Sequence, residues 1–291
     1  MLDLIVDTDQ HLAELIADID AERVELPAFP DVVNRLQAML ANADVSMKDV
    51  AALIQSDPVL TAKLLRTANS AAFNTRGVEI ENLNVALNRL GGTLIRSVAM
   101  AFAMRQAEQE PYLAPIKGQL RELLRRSNYV AAIACVVARA LPQVNADQAI
   151  LAGLVHQIGS LYLMITVQRD YPETAENLDY FEAVARHGAA AAKPVLSAWQ
   201  FPAEVRQAVT EQDGLLQPPG HELSPVGLLL AAAKLRDQME NDPLLRAEYP
   251  DADEKLQAVR FNKRNFLDIV AASHSEIRDI QESLNFNLAA A

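Results

Sequence analysis

Histidine and cysteine are the side chains of this 291-residue chain best suited to hold a metal or to act as a nucleophile. No two of the five histidines lie four residues apart, so the helical His-Glu-x-x-His zinc motif is absent; they are His11, His156, His187, His221 and His274. The lone thiol, Cys135, lies among Ala, Ile and Val, where burial raises a thiol pKa and makes it unreactive. Only His156 stands in a segment with a recognisable chemical pattern.

His156 lies within the segment AILAGLVHQIG at 149–159. This segment resembles the GLLHDIG helix of the HD superfamily of metal-dependent phosphohydrolases, with Gln157 in the place of the aspartate. Other segments resemble motifs of the HDOD family, the HD-related output domain, in order along about residues 23–215: LPAFP at 26–30, IQSDPVL at 54–60, KLLR at 63–66, ANS at 68–70, ALNRLG at 86–91 and WQFP at 199–202. The resemblance implies a bacterial helical protein associated with signal transduction.

The same resemblance implies a site that has lost its metal ligands. HD chemistry requires a histidine, a His-Asp pair and a distal aspartate, which together hold the divalent metals that generate hydroxide and bind phosphate oxygens. Arg126 precedes the Ser-x-x-Val-Ala pattern at 127–131, where the first histidine is expected, and a guanidinium cannot ligate a metal. Gln157 is a neutral, weak ligand, and Asp213 is the candidate for the distal acid. We therefore expect no catalytic residue, no metal and no cofactor, and a vestigial site of Arg126, His156 and Gln157.

Three functions are open to such a site. The preferred one is a non-catalytic signalling or regulatory module, not an enzyme, that acts through contacts with protein partners. The second is a residual metal-dependent phosphohydrolase that needs Mn, Mg or Fe. The third is a small-ligand receptor, in which Arg126 takes the electrostatic place of the metal and binds an anion such as a nucleotide phosphate. His156 itself is expected to be a buried histidine that hydrogen-bonds a neighbouring carbonyl or side chain.

Helical periodicity runs through almost the whole chain and strand alternation is nearly absent, which predicts an all-α protein. Helix-start signals stand at Ser46, at Asp57 before a proline, and at Asn145. Gly91 and the glycine after it predict a left-handed stop between two helices.

The longest helices are predicted at 116–140, 225–240 and 253–284. Two consecutive buried helices, hinged near Gly159, account for the uncharged stretch at 148–168. That stretch is long enough to span a bilayer, but a histidine, a glutamine and a glycine at its centre disfavour a membrane location.

The predicted organisation has three parts. An N-terminal helix occupies 1–22, and a two-part helical HDOD domain occupies 23–215, with an HDOD-specific half at 26–110 and a degenerate HD-like bundle at 116–213. A C-terminal helical extension follows at 216–291. The proline- and glycine-containing loop at 212–224 is the strongest candidate for a linker between the last two parts.

The charge balance limits the partners. The chain has 26 Lys and Arg against 38 Asp and Glu, a net charge of −12, which disfavours sequence-independent binding of nucleic acid. Arg121, Arg125 and Arg126 form a local basic cluster on one predicted helix, expected to be a solvated face paired with nearby acids. The sequence thus predicts a cytoplasmic protein that binds neither nucleic acid nor membrane.

Overall fold

The computed structural model describes residues 8–20, 31–42, 44–74, 77–177, 179–217, 222–261 and 263–285. The motif at 26–30 lies outside the described residues. The prediction of an all-α fold is confirmed, since helices make up nearly all of the regular structure and the described residues include a single hairpin of two short strands.

The described residues up to 107 form five helices: α1 (Thr8–Asp20), α2 (Asp31–Ala41), α3 (Met47–Ile54), α4 (Pro58–Asn69) and α5 (Leu83–Ala107). Local side chains start α3 and α4 as predicted. The Ser46 hydroxyl accepts a hydrogen bond from the Asp49 N–H, and Asp57 Oδ1 accepts from the N–H groups of the two residues after Pro58, Val59 and Leu60. Each such cap contributes about 1 kcal/mol.

The predicted left-handed stop at Gly91 is confirmed. Gly91 has a φ of +73° and a ψ of +162°, a non-helical conformation that favours glycine, so α5 consists of two helical segments joined at a kink. α5 packs against α2, α3 and α4, and its second half is almost entirely buried.

The second part is a bundle of longer helices. After a 3₁₀ segment (Pro111–Ile116) come α6 (Lys117–Arg139), α7 (Ala146–Val155), α8 (Ile158–Asp170), α9 (Pro172–Ala175), α10 (Tyr180–Ala198), α11 (Ala203–Thr210) and α12 (Pro225–Asn241). α6 packs on α7, and α8 packs on α10. The uncharged stretch Ala146–Asp170 forms α7 and α8, and 89% of its apolar window is buried inside the protein, so its hydrophobicity is explained by the core.

The two predicted consecutive buried helices are confirmed, and the break between them lies two to three residues before Gly159. The break between α7 and α8 falls at His156 and Gln157, whereas Gly159 lies inside α8. A Cβ at Gly159 would collide with the Gly188 carbonyl, and a Cβ at Gly188 would collide with the Ser160 side chain. Both glycines therefore permit a close crossing of α8 and α10, and the hinge itself is formed by the residues of the candidate site.

The single helix predicted at 253–284 is also wrong. The segment forms α14 (Ala252–Ala258), strands β1 (Arg260–Phe261) and β2 (Arg264–Asn265), α15 (Phe266–Ala272) and α16 (His274–Leu284), after a short α13 (Leu245–Glu248). Lys263 has a φ of +70° in the hairpin turn, a conformation incompatible with a helix. Asn265 then caps α15 by accepting a hydrogen bond from the Leu267 N–H.

The C-terminal helices pack directly on the rest of the protein. α12 contacts α6, α7 and α11, while α16 contacts both α6 and α4. Across the loop predicted as a linker, Glu211 Oε2 accepts hydrogen bonds from the N–H and the hydroxyl of Ser224. These contacts bring α12 against the HD-like half, where it contributes to the candidate site.

Candidate functional site

A cavity of about 670 Å³ lies between α6, α8, α10 and α12. The three residues of the predicted vestigial site, Arg126, His156 and Gln157, all line it. Asp213, the candidate distal acid, lines the same cavity, and α12 adds Lys234. The volume falls in the range of about 300–1,000 Å³ typical of small-molecule sites.

His156 immediately follows α7 and is 1% exposed. Its Nδ1 lies 2.7 Å from the Gly153 carbonyl oxygen, and because a carbonyl only accepts, Nδ1 carries the proton. Nε2 is therefore a bare acceptor, and it has no hydrogen-bond partner among the described residues. The predicted hydrogen bond between a buried His156 and a neighbouring carbonyl is confirmed at Nδ1. The second ring nitrogen, Nε2, forms no such bond to a described residue.

Burial and neighbouring charge keep His156 neutral. Desolvation, followed by the positive charge of Lys234, lowers the pKa of the imidazole to about 3. A neutral imidazole with one free nitrogen can accept a hydrogen bond or ligate a metal, but it carries no charge to attract an anion.

Arg126 faces a buried acid. Its Nε donates to Oδ2 of Asp237 on α12 at 2.7 Å, and Asp237 is 1% exposed. The Asn241 side-chain amide donates to Oδ1 of the same carboxylate at 3.1 Å. Burial raises the pKa of Asp237, and the Arg126 charge opposes that rise. The predicted solvated basic face is therefore wrong at Arg126, which forms a largely desolvated ion pair between α6 and α12.

The rest of the predicted basic cluster is exposed and paired with acids, as predicted. Arg125 pairs with Glu122 on its own helix at 2.6 Å, with both side chains about half exposed. The Arg121 side chain is 57% exposed and pairs with the buried carboxylate of Glu108, which follows the end of α5.

Lys234 is the functional residue that sequence reasoning missed. Its Nζ lies 2.6 Å from Oδ1 of Asp213, and its charge is the second-largest cause of the lowered His156 pKa. The ammonium group thus lies beside His156 and beside Asp213, the candidate for the distal acid. No local signal marks this lysine, because it belongs to α12, beyond the motifs of the resemblance.

The residues present do not fit a divalent metal. Arg126 and Gln157, at the two positions where the resemblance expects a histidine and an aspartate, supply neither an imidazole nor a carboxylate, and Asp213 is bonded to an ammonium group. Among the described residues, no three His, Cys, Asp or Glu side chains cluster closely enough to hold a metal ion. Three basic side chains, Arg126, Arg186 and Lys234, instead line the cavity.

The other candidate residues lie elsewhere. Cys135 is buried and burial raises its pKa to about 11, as predicted for a thiol among apolar side chains. His187 Nε2 contacts Asp9 of α1 at 2.9 Å, and His11 packs edge-on against Tyr171. His274 begins α16, and His221 lies outside the described residues.

The neutral state of His156 gives a pH-dependent stability. Its pKa is about 6.5 in the unfolded chain and about 3 when folded, so between these values the unfolded chain binds the extra proton. The contribution of the lowered His156 pKa to the free energy of unfolding is therefore complete above pH 6.5 and is lost as the pH falls below that value. We expect wild type to lose about 2 kcal/mol more than His156→Gln between pH 7 and pH 5. Urea denaturation at both pH values measures this difference, and parallel losses in the two proteins would contradict it.

The helical bundle and its histidine-containing cavity are the features expected of a helical domain of the HD class. The HDOD domain model matches residues 26–215, and the chain therefore belongs to the HDOD family. A curated relative, an uncharacterized protein of Treponema pallidum (strain Nichols), is 27% identical over 61% of this chain. The match covers 33% of that relative, so the chain spans about a third of its length.

Solved structures share this fold over nearly the whole chain. A proposed metal-dependent phosphohydrolase of Shewanella amazonensis SB2B has a TM-score of 0.71 and 26% identity, with 96% of this chain and 99% of that chain covered. An HDOD domain protein of unknown function from Geobacter sulfurreducens has a TM-score of 0.61 and 20% identity, with 97% and 100% covered. A proposed signal transduction protein of Marinobacter aquaeolei VT8 has a TM-score of 0.57 and 19% identity, with 97% and 67% covered.

Proposed function

We propose that this HDOD protein is a non-catalytic regulatory module of bacterial signal transduction that acts in the cytoplasm through contacts with protein partners, without binding nucleic acid or membrane. The observation that carries the non-catalytic part is the Lys234–Asp213 ion pair beside His156. The Lys234 ammonium group already pairs with the Asp213 carboxylate, which a metal would need as a ligand. Its positive charge also repels any metal ion that approaches this carboxylate.

The second cation supports the same conclusion. Arg126 stands where the resemblance expects the first histidine ligand, and its partner Asp237 is buried on α12. Breaking such a pair is strongly unfavourable, so Arg126 is fixed in the site rather than free to swing away from an incoming metal. The site therefore lacks the means to generate a metal-bound hydroxide.

Metal content and turnover test this proposal together. We expect tag-free protein dialysed against Mn²⁺, Mg²⁺ or Fe²⁺ to retain less than about 0.1 ion per chain and to leave p-nitrophenyl phosphate esters intact. Near-stoichiometric metal with turnover that is lost in His156→Ala would overturn the proposal in favour of the residual phosphohydrolase.

Affinity purification from the native host tests the proposed protein contacts. We expect a partner protein to be recovered in stoichiometric amount, and its absence would contradict the protein-contact role.

A second function, a small-ligand receptor, is favoured by one specific observation. His156 Nε2 is buried without a partner in a cavity large enough for a small molecule. A bound donor would satisfy that nitrogen, and ligand binding between α6, α8, α10 and α12 would bias how α12 packs. This function is compatible with the first, because a regulatory module needs an input.

A further inference from the structure

We propose that the cavity binds an uncharged heterocyclic amide, meaning a flat ring compound that carries a carboxamide or lactam group. This inference rests on the receptor function above and is independent of the absence of catalysis. It differs from the anion expected from the sequence, because the structure shows what the cations of the cavity already contact.

The first requirement on the ligand is a hydrogen-bond donor. His156 is 1% exposed, its Nδ1–H is used by the Gly153 carbonyl, and its Nε2 accepts nothing from the described residues. A buried acceptor without a partner is unfavourable by about 1–3 kcal/mol, so an N–H or O–H donor placed there would be favoured. The neutral imidazole cannot itself donate from Nε2.

The second requirement is an amide-like edge. Three glutamines line the cavity, Gln157, Gln212 and Gln238, and none of their side chains forms a hydrogen bond to another described residue. Gln212 is 4% exposed, so most of this residue is withdrawn from bulk water. A primary amide offers both a donor and an acceptor, and the matching ligand edge presents both as well, as a lactam or carboxamide does.

The third requirement is the absence of net charge. Each cation lining the cavity already has a carboxylate partner: Lys234 with Asp213 at 2.6 Å, Arg126 with Asp237 at 2.7 Å, and Arg186 with Asp9 at 2.7 Å. Glu122 and Asp242 add two further acids to the lining. An anion would have to compete with these carboxylates, whereas a neutral ligand leaves the ion pairs intact.

The fourth requirement is an apolar face. Leu123 of α6, Met164 of α8, and Phe181 and Val184 of α10 line the cavity together with the polar groups. Phe181 is 38% exposed, unusual for a phenyl ring, and a flat ring packed against it would cover apolar surface. A heterocycle can contact both kinds of lining residue, because its edge is polar and its two faces are apolar.

Charge-matched probe pairs test the proposal on the tag-free full chain. The pairs are nicotinamide with nicotinate and inosine with inosine 5′-monophosphate, titrated with ligand-observed NMR. We expect at least one uncharged probe to bind saturably and its anionic counterpart to bind about tenfold more weakly or worse. Equal or tighter binding of the anions would overturn the proposal in favour of an anion site. No binding by any of the four below about 10 mM would overturn it as well.

Two matched glutamine variants locate the binding. Gln238→Leu removes an amide from the cavity at a half-buried position, and Gln257→Leu makes the same change at an exposed position outside the lining. We expect a three- to tenfold loss of affinity, about one hydrogen bond, in the first variant alone. Equal affinity in both variants would place the probe elsewhere and contradict the proposal. Neither result affects the metal and turnover measurements, so the two proposals fail separately.

Discussion

Replacing Arg126 by alanine is expected to lower the free energy of unfolding by about 3–5 kcal/mol. The change leaves the Asp237 carboxylate, which is 1% exposed, without its cation, and the Asn241 amide cannot neutralise that charge. Urea denaturation followed by circular dichroism at pH 7 measures the loss.

Arg125 provides the matched control for this prediction. It is the neighbouring residue on α6 and pairs with Glu122 while both side chains are about half exposed. Arg125→Ala is therefore expected to change the stability by less than about 1 kcal/mol. Similar small losses in both variants would show that the Arg126–Asp237 pair is not desolvated as the structure indicates.

A double replacement separates charge from packing. Arg126→Met combined with Asp237→Leu removes both charges and keeps apolar volume, so we expect it to recover most of the stability lost in Arg126→Ala. The single variant should also recover partly towards pH 5. Without Arg126 the pKa of Asp237 rises further above its unfolded value, so protonation in the folded state offsets the stranded charge as pH falls.

The parts of the fold that were predictable are those fixed by nearby residues. Asp57 and Asn145 cap α4 and α7 because a short polar side chain bonds N–H groups two or three residues ahead, which sequence spacing alone specifies. The break at His156 was not predictable in the same way. Glycine is the usual helix breaker, but Gly159 is required by the close approach of the Gly188 carbonyl, a neighbour from another helix.

The candidate site also contains residues that local motifs predict and residues that only tertiary packing brings in. His156 and Gln157 could be identified because they lie in one contiguous motif, and Arg126 could be identified from the motif that follows it. The partners of these residues could not be identified. Lys234 reaches the cavity, and Asp237 reaches Arg126, only because α12 packs on α6 and α7. Tertiary packing decides which distant acid pairs with Arg126. The sequence contains several acids that could equally have been its partner.

Converting Gln157 to aspartate and Lys234 to alanine together is expected to create a site that retains about one Mn²⁺ per chain, where wild type retains less than about 0.1. The double variant frees the Asp213 carboxylate and adds a second one next to His156, which gives three protein ligands. His156 is already oriented for this role, because Nδ1–H is held by the Gly153 carbonyl and Nε2 is free. The Arg126–Asp237 pair is left in place so that the protein folds.

The single variant Gln157→Asp tests whether Lys234 is the group that excludes the metal. It supplies the same carboxylate but leaves the ammonium 2.6 Å from Asp213. We expect it to bind Mn²⁺ at least about a hundredfold more weakly than the double variant, because the ion would have to displace a charge-assisted hydrogen bond and approach a fixed cation. Equal Mn²⁺ affinity in the single and double variants, measured by isothermal titration, would mean that the lysine does not stand in the place of the metal. The loss of the HD site would then rest on the missing ligands, Gln157 among them, and not on the lysine.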